Sequence, residues 1–388
     1  MLDLFQTNSC RVSGRLYFHP AWGKLGSVKK AVGFMVGVLL FGSAVFPAQA
    51  AFTSFYVFGD SLSTTASNSA AGSLYYGQRY SNGRVWVEVL AQRQGLTFNP
   101  AKNTNSFFGN TSSNLFAETG AYTPPGDASN ALVVIWVNNA DLYYPALDPT
   151  PTLAKFTNAI NLALTNQYKA ITNLYAKGIR TLVMPNVVDI STIPQFNTYA
   201  SQTNLFHQAS TNYNVAFYAT LDRARTNCPG LAIFIPDFFS LLTNLIAHPA
   251  NYGVTNALGN GLSIDALHAQ NFGFPVANTN GYGTNYIFWD KTDPTAMVHM
   301  WMGNLAQQLI SPAQISNITA LNGSNQLDLA NVPIGQNGLV LGRTNLILGN
   351  WTTNVSFISS NATQSVFVTP SGPQWFYRLS FPYSWTWP

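Results

Sequence analysis

The sequence predicts an α/β domain built on a parallel sheet, followed by a small all-β module. Three observations predict it. From Ala51 to about Pro312 short apolar runs alternate with longer segments of helical periodicity, the pattern of strands joined by crossover helices. After Ser311-Pro312 the texture changes: Asn, Thr and Ser dominate, and no helical stripe survives. Length agrees, because 388 residues at roughly 150 per domain make about two domains.

Taken in order, residues 1–50 read as a secretory signal. Lys29-Lys30 precede an apolar run from Ala31 to Phe46, and Ala48-Gln49-Ala50 supplies a small-x-small cleavage pattern. The run has 16 residues, three Gly and one Ser among them, short of the roughly 18 needed for a spanning helix. Cleavage after Ala50 is the expectation, with no stable membrane span afterwards and a secreted, periplasmic or cell-surface location; an uncleaved anchor is the alternative. Five of the 18 basic residues (Arg11, Arg15, Lys24, Lys29, Lys30) and one of the 14 acids (Asp3) lie in this leader, leaving 13 of each sign beyond it. A neutral remainder lacks the electrostatic footprint of a nucleic-acid binder or of a protein steered to an anionic membrane. Cys10 leaves with the leader and Cys228 stands alone, so no internal disulfide is expected. Cys228, beside Pro229-Gly230, reads as a buried inert thiol.

The domain spanning 51–312 offers four strands, Ser54 to Phe58, Ala131 to Val137, Ile179 to Met184 and Leu231 to Ile235, each ending in a polar, Gly- or Pro-containing turn. Leu153 to Lys177 and Gln202 to Thr226 carry apolar residues at three- and four-residue spacing and suit helices packed on the sheet. A last helix follows Pro294 and runs to Ile310, with Pro near its first turn. The module at 313–388 holds short runs at Leu339 to Leu341, Val355 to Ile358 and Ser365 to Val368, which fit antiparallel strands. Its aromatic end, Trp375-Phe376-Tyr377 through Phe381, Tyr383, Trp385 and Trp387, either stacks on sugar rings or fills the core of a small sandwich.

Chemistry concentrates at the carboxyl end of the first strand. Phe55-Tyr-Val-Phe-Gly-Asp-Ser61 runs straight into Gly-Asp-Ser, and ligands of open α/β sheets sit at strand carboxyl ends. Ser61 would stand at the mouth of the site, with Gly59 allowing the tight turn. Ser81-Asn-Gly-Arg-Val-Trp-Val-Glu88 follows, and the Gly83 amide, at a turn entering an amphipathic helix, could face an oxyanion.

Tyr56-Val-Phe-Gly-Asp-Ser-Leu-Ser63 with the block at 81–88 resembles the GDSL-type (SGNH hydrolase) esterases and lipases, as do Met184-Pro-Asn-Val187, Pro249-Ala-Asn-Tyr-Gly-Val-Thr-Asn256 and Phe288-Trp-Asp290 ahead of Asp293-Pro-Thr295. The resemblance covers roughly residues 52–312. It implies a flavodoxin-like three-layer α/β/α sandwich, Ser61 as nucleophile, an oxyanion hole including Gly83, and hydrolysis of carboxylic esters without a metal or other cofactor.

Two blocks depart from the family pattern. Where it reads Trp-x-Gly-x-Asn-Asp, this chain reads Trp136-Val-Asn-Asn-Ala-Asp141, so Ala140 takes the oxyanion Asn position. Asn139, adjacent at the strand end, is the substitute donor, with Asn138 the alternative. Where the family has Asp-x-x-His-Pro-Thr, this chain has Asp290-Lys-Thr-Asp293-Pro-Thr295, so an aspartate stands at the position of the base. A solvated Asp at about 3.9 is a poor base for a serine hydroxyl. The expected base is His299, oriented by Asp290 or Asp293; the alternatives are His268 in Asp265-Ala-Leu-His268 and Asp293 itself, raised by its neighbour Asp290. His207 and His248 attract no role.

The expected function is thus an exported serine hydrolase acting on lipid, aryl or acetylated-sugar esters, with polysaccharide contact through the β module. The alternative is a secreted binding protein of the same fold, its chemistry impaired and the module serving surface or glycan attachment.

Overall fold

The central strand dictates the rest. β2 (Ala131–Trp136) is Ala-Leu-Val-Val-Ile-Trp, buried on every residue, the unbroken apolar run of a parallel strand covered on both faces. It pairs in parallel with β1 (Ser54–Gly59) on one side and β3 (Thr181–Val183) on the other, and β3 pairs with β4 (Ala232–Phe234). The sheet order is β1-β2-β3-β4. Beyond β1 the flavodoxin-like pattern calls for one more strand, and the chain supplies a single parallel bridge between Gly59 and Ser106. Its hydrogen bonds run from Gly59 N–H to Asn105 O at 2.9 Å and from Phe107 N–H to Gly59 O at 3.3 Å. The computed structural model describes residues 52–69, 75–197, 199, 201–254, 286–370, 372 and 374–381. The expected leader, His268, and Tyr383, Trp385 and Trp387 lie outside the described residues.

Helices α1 (Trp86–Arg93), α2 (Ser112–Ala121), α3 (Asn138–Ala146), α4 (Leu153–Ala176), α5 (Pro194–Asn197), α6 (Thr203–Asn227), α7 (Phe238–Ala247) and α8 (Ala296–Ile310) cover the sheet. α4 buries Phe156, Ile160, Leu164, Ile171 and Leu174, the stripe its periodicity predicts. Its start is set by Thr152, whose side chain accepts the Lys155 N–H at 3.3 Å. α1 and α8 pack closely because position 303 is Gly: a Cβ there would stand 2.7 Å from the Val89 side chain and 2.9 Å from the Trp86 carbonyl. Cys228 is free and buried at the end of α6. No described helix is long and apolar enough to cross a membrane.

The C-terminal strands are β5 (Gln314–Leu321), β6 (Ser324–Ala330), β7 (Asn337–Arg343), β8 (Thr352–Ile358), β9 (Thr363–Val368) and β10 (Phe376–Ser380). They form two antiparallel sheets, β5-β6-β9 and β10-β7-β8, around Leu327, Leu329, Val340, Val366 and Val368. Tyr377 and Phe381 pack against this core, and Trp375 stacks on Tyr377 with centroids 6.2 Å apart. These described aromatics therefore build the module itself. Arg93 of α1 joins it to the sheet domain, donating through Nη1 to Ile334 O at 2.9 Å and accepting the Ile334 N–H on its own carbonyl at 3.3 Å.

Candidate active site

Ser61 follows β1 and opens a single helical turn, Ser61–Ser63, at the carboxyl end of the sheet. Asp60 sets the turn: its Oδ1 accepts the Leu62 N–H at 3.0 Å, and its own N–H donates to Trp136 O at 3.1 Å. Gly59 is required, since a Cβ there would fall 2.6 Å from Ser63 Cβ. Beneath the turn Trp86, Trp136 and Phe238 meet edge-to-face with centroids 5.0–5.6 Å apart, and Trp86 Nε1 donates to Ser63 Oγ at 3.0 Å. Such aromatic pairs contribute about 0.5–1.5 kcal/mol each beyond area burial, so the Ser61 turn rests on a packed aromatic floor.

The blocks at 81–88 and 290–299 are latched together. Ser81 Oγ donates to Pro294 O at 3.1 Å, the Ala296 N–H to Asn82 Oδ1 at 2.8 Å, and the Trp86 N–H to His299 Nδ1 at 3.3 Å. Glu88 closes the start of α1 by accepting the Val85 N–H at 2.9 Å and pairing with Arg79. Gly83 is buried in the turn ahead of α1.

Asp290, half-buried, and Asp293, buried, form a close pair. Asp290 Oδ1 accepts N–H donors from Thr292 at 2.9 Å and Asp293 at 2.8 Å, and Oδ2 accepts the Tyr75 hydroxyl at 2.9 Å. Thr292 Oγ1 lies 3.2 Å from Asp290 Oδ1 and 2.7 Å from Asp293 Oδ2, so its one proton serves one carboxyl at a time. Burial raises the pKa of both. For Asp290 the donors oppose the rise; for Asp293 the Asp290 charge adds to it, pushing it well above the usual carboxylate range. Of the two, Asp293 is raised further, because it is buried beside the Asp290 carboxyl and receives fewer donors. The Ser61 side chain faces Asp293 and offsets part of the rise, although Asp293 Oδ1 completes no hydrogen bond of normal geometry.

His299 sits elsewhere. It is fully buried in α8, its Nδ1 taken by Trp86, its Nε2 without a partner. Burial alone lowers its pKa to about 3, and no described hydrogen bond joins it to Ser61, Asp290 or Asp293. The expectation that either aspartate orients this ring finds no such bond: His299 lies in the first turn of α8, six positions beyond Asp293, and its ring turns toward the start of α1.

Asn139 does not end a strand, as the sequence suggested; β2 stops at Trp136 and Asn139 lies in the first turn of α3. Its Oδ1 accepts the Val188 N–H at 3.2 Å. Its Nδ2 is buried with no partner of normal geometry, close enough to Asp60 to offset a burial-driven rise of that carboxyl to about 7. Asn138 is committed to Pro185 O at 2.9 Å. Ser61 and Asn139 meet on the wall of one cleft, shared with Asp60, Leu62, Phe108, Tyr143, Ile193 and Thr292. Gly83 does not line it. Among the described residues no group of three His, Cys, Asp or Glu is placed to hold a metal ion.

A profile of the GDSL-like lipase/acylhydrolase family matches residues 55–306, the stretch that carries Ser61, the latched blocks and the aspartate pair. The chain belongs to that family. Among curated proteins there is no match. Solved structures to which the chain is similar include an alpha/beta hydrolase enzyme from the metagenome of Lake Arreo, Spain, at 11% identity and a TM-score of 0.38, covering 68% of this chain and 97% of that one. An acetylxylan esterase from Geobacillus stearothermophilus is similar at 12% identity and TM-score 0.38, covering 67% and 96%. A gut microbial diltiazem-metabolizing enzyme is similar at 10% and 0.40, covering 78% and 61%.

In this GDSL-family chain the sequence pointed to Ser61, Asn139, Asp290 and Asp293, and missed Tyr75 and Thr292. Thr292 lies inside the motif that led to its neighbours, and its hydroxyl between two acids was a usable signal. Tyr75 lies 215 residues from its partner, and nothing local marks it.

Proposed function

We propose that this chain hydrolyses carboxylic esters with Ser61 as nucleophile, Asp293 as its base and Asn139 Nδ2 as an oxyanion donor, with the Gly83 amide as a second donor once substrate is bound. One observation carries the reading: the hydroxyl of Ser61 faces a buried carboxyl whose pKa is raised well above the ordinary range. A base is most effective when its pKa approaches the working pH, and burial beside Asp290 moves Asp293 in that direction. Ser61 Oγ passes its proton to Asp293 and attacks the acyl carbon; the oxyanion of the tetrahedral intermediate is met by Asn139. Collapse expels the alcohol, which takes the proton from Asp293. Water, losing a proton to Asp293, then attacks the acyl-serine carbonyl carbon; the C–O bond to Ser61 breaks, Asp293 returns the proton to Ser61 Oγ, and the acid and free Ser61 result. Leu62, Phe108, Tyr143 and Ile193 on the cleft wall favour small acyl groups on lipid, aryl or acetylated-sugar alcohols. Export by the leader at 1–50, a domain boundary near 312 and polysaccharide contact by the module belong to the same proposal.

The test is hydrolysis of p-nitrophenyl acetate and butyrate by the chain and by Ser61→Ala. Turnover lost in the variant supports the reading; equal background rates from both proteins sink it. One observation favours the second reading, a binding protein with impaired chemistry: the one described histidine near the expected block, His299, is locked against α1. In that case a serine-directed phosphonate leaves Ser61 unlabelled.

A further inference from the structure

The β7–β8 loop turns its apolar side chains outward while satisfying its backbone inward. Asn345 Oδ1 accepts the N–H groups of Ile347 at 2.8 Å and Leu348 at 3.1 Å, a closed Asx-type turn. The Arg343 guanidinium donates to Leu346 O and to Gly349 O, bracing the loop from within. The result is a tip on which Leu346 is 42%, Ile347 90% and Leu348 70% exposed. Three consecutive large aliphatic residues held in water by a hydrogen-bonded scaffold are not a scattered surface apolar residue, which would need no explanation.

Two cations ring the base of this tip. Arg343 and Arg378 lie diagonally across the β7–β10 pair, since Arg343 opposes Phe376 and Arg378 opposes Leu341. Each guanidinium stands 4.5 Å from the centroid of Trp351, which ends the loop. Arg378 is exposed, and neither Arg pairs with a carboxylate among the described residues. Asp328 is the module's one acidic side chain, and it is held by Gln326, Asn317 and Ser365 on the other sheet. Like charges gathered on one indole, with an apolar tip beyond them, match the layering of a bilayer surface: aliphatic groups at acyl depth, Trp at the interface, Arg at the phosphates.

We propose that the β7–β8 loop is a peripheral membrane contact, in which Leu346, Ile347 and Leu348 enter the interfacial region of an anionic phospholipid bilayer and Arg378 meets the lipid phosphates, while Arg343 braces the tip. The chain beyond residue 50 has no net positive charge, so long-range steering is absent. The complementarity is local, and affinity rests first on the apolar tip. The inference is independent of the ester chemistry, because the tip contains no residue of the cleft.

Co-sedimentation of the full chain with vesicles of phosphatidylcholine, and of phosphatidylcholine mixed equally with phosphatidylglycerol, tests it. Binding to the mixed vesicles is expected. The double variant Ile347→Ser/Leu348→Ser should lose about tenfold or more in partition, and Arg378→Gln about fivefold on anionic vesicles, with a smaller effect on neutral ones. Thermal melting monitors folding, and turnover of a soluble p-nitrophenyl ester should be equal in chain and variants; an inactive chain that still binds vesicles would leave this contact standing while removing the esterase reading. No vesicle binding by the native chain, or equal binding by native and double variant with matching melts, overturns the proposal. So does a concentration-dependent dimer, without lipid binding, that the double variant abolishes, which would assign the tip to a second copy.

Discussion

The Tyr75 hydroxyl donates to Asp290 Oδ2 at 2.9 Å, and through that bond a residue from the loop after Ser61 opposes the burial-driven rise of Asp290, whose charge in turn raises Asp293. Replacing Asp290 by Asn removes that charge and keeps an oxygen for the Thr292 and Asp293 N–H groups. The Asp293 pKa then falls. Because the proposed base must be deprotonated to accept the Ser61 proton, the acidic limb of kcat/KM against pH moves to lower pH in Asp290→Asn, and the plateau drops because the base is weaker. A limb that stays in place would show that Asp293 is not the titrating base.

His299 carries a different expectation. A neutral ring that accepts the Trp86 N–H is structural, so His299→Leu should cost about 1–3 kcal/mol of stability through the unpaired buried donor and leave kcat/KM on a soluble ester within a few-fold. Its depressed pKa also sets a sign. The unfolded ring takes a proton near 6.5 while the folded ring resists to about 3, so the unfolded chain binds more protons between these values and stability falls as pH drops through that window. Urea unfolding of the native chain and the variant from pH 7 to 4 should show the slope reduced in His299→Leu. Turnover abolished in a variant that remains stable would restore His299 as the base.

Much of this was legible before the structure because it follows from local pattern. The unbroken apolar run of β2 marks a strand covered on both faces, and the stripe of α4 has the period that one face of the sheet must satisfy. The Gly59-Asp60-Ser61 turn is also local, since a side chain at position 59 collides within the turn itself. What was not legible depends on distance and on element ends. Asn139 opens α3 because the chain passes from β2 into a helix within one residue, and no cap residue announces it: Val137 makes no side-chain cap bond. Whether His299 or Asp293 faces Ser61 depends on side-chain direction at the end of the sheet, and spacing along α8 cannot report that. The shift of Asp293 is a property of burial beside Asp290, which arises when the loop from Tyr75 covers the pair.

Asp141 tests the same electrostatics away from the cleft. Its Oδ1 accepts the Ser112 N–H at 3.0 Å and hydroxyl at 2.9 Å, yet burial raises its pKa to about 7. Folded Asp141 keeps its proton where an unfolded Asp, at 3.8, has lost it. Its contribution to stability is complete below the unfolded value and is lost as pH rises toward 7, at about 1.4 kcal/mol per unit at most. Asp141→Asn binds no proton in either state, so its unfolding free energy should fall less steeply between pH 4 and 7 than that of the native chain. Parallel slopes in urea titrations would place the carboxyl in its ionised form throughout.

Asn139 is the sharpest test of whether the cleft performs chemistry. Its Oδ1 is fixed by the Val188 N–H, which orients the amide and leaves Nδ2 as the donor without a partner of normal geometry, on the same wall as Ser61. A buried donor left unpaired carries a cost of about 1–3 kcal/mol in the resting protein, and a developing oxyanion recovers it only in the transition state. The expected signature of Asn139→Ala is therefore kcat lower by about 10² to 10³ with KM little changed, and stability lower by about 1–3 kcal/mol because the buried Val188 N–H loses its acceptor. Asn139→Asp presents a carboxylate beside Asp60 and should lose activity as fully while falling in stability. If Asn139→Ala instead raises KM and leaves kcat intact, the amide binds the ground state only, and oxyanion stabilisation passes to backbone N–H groups.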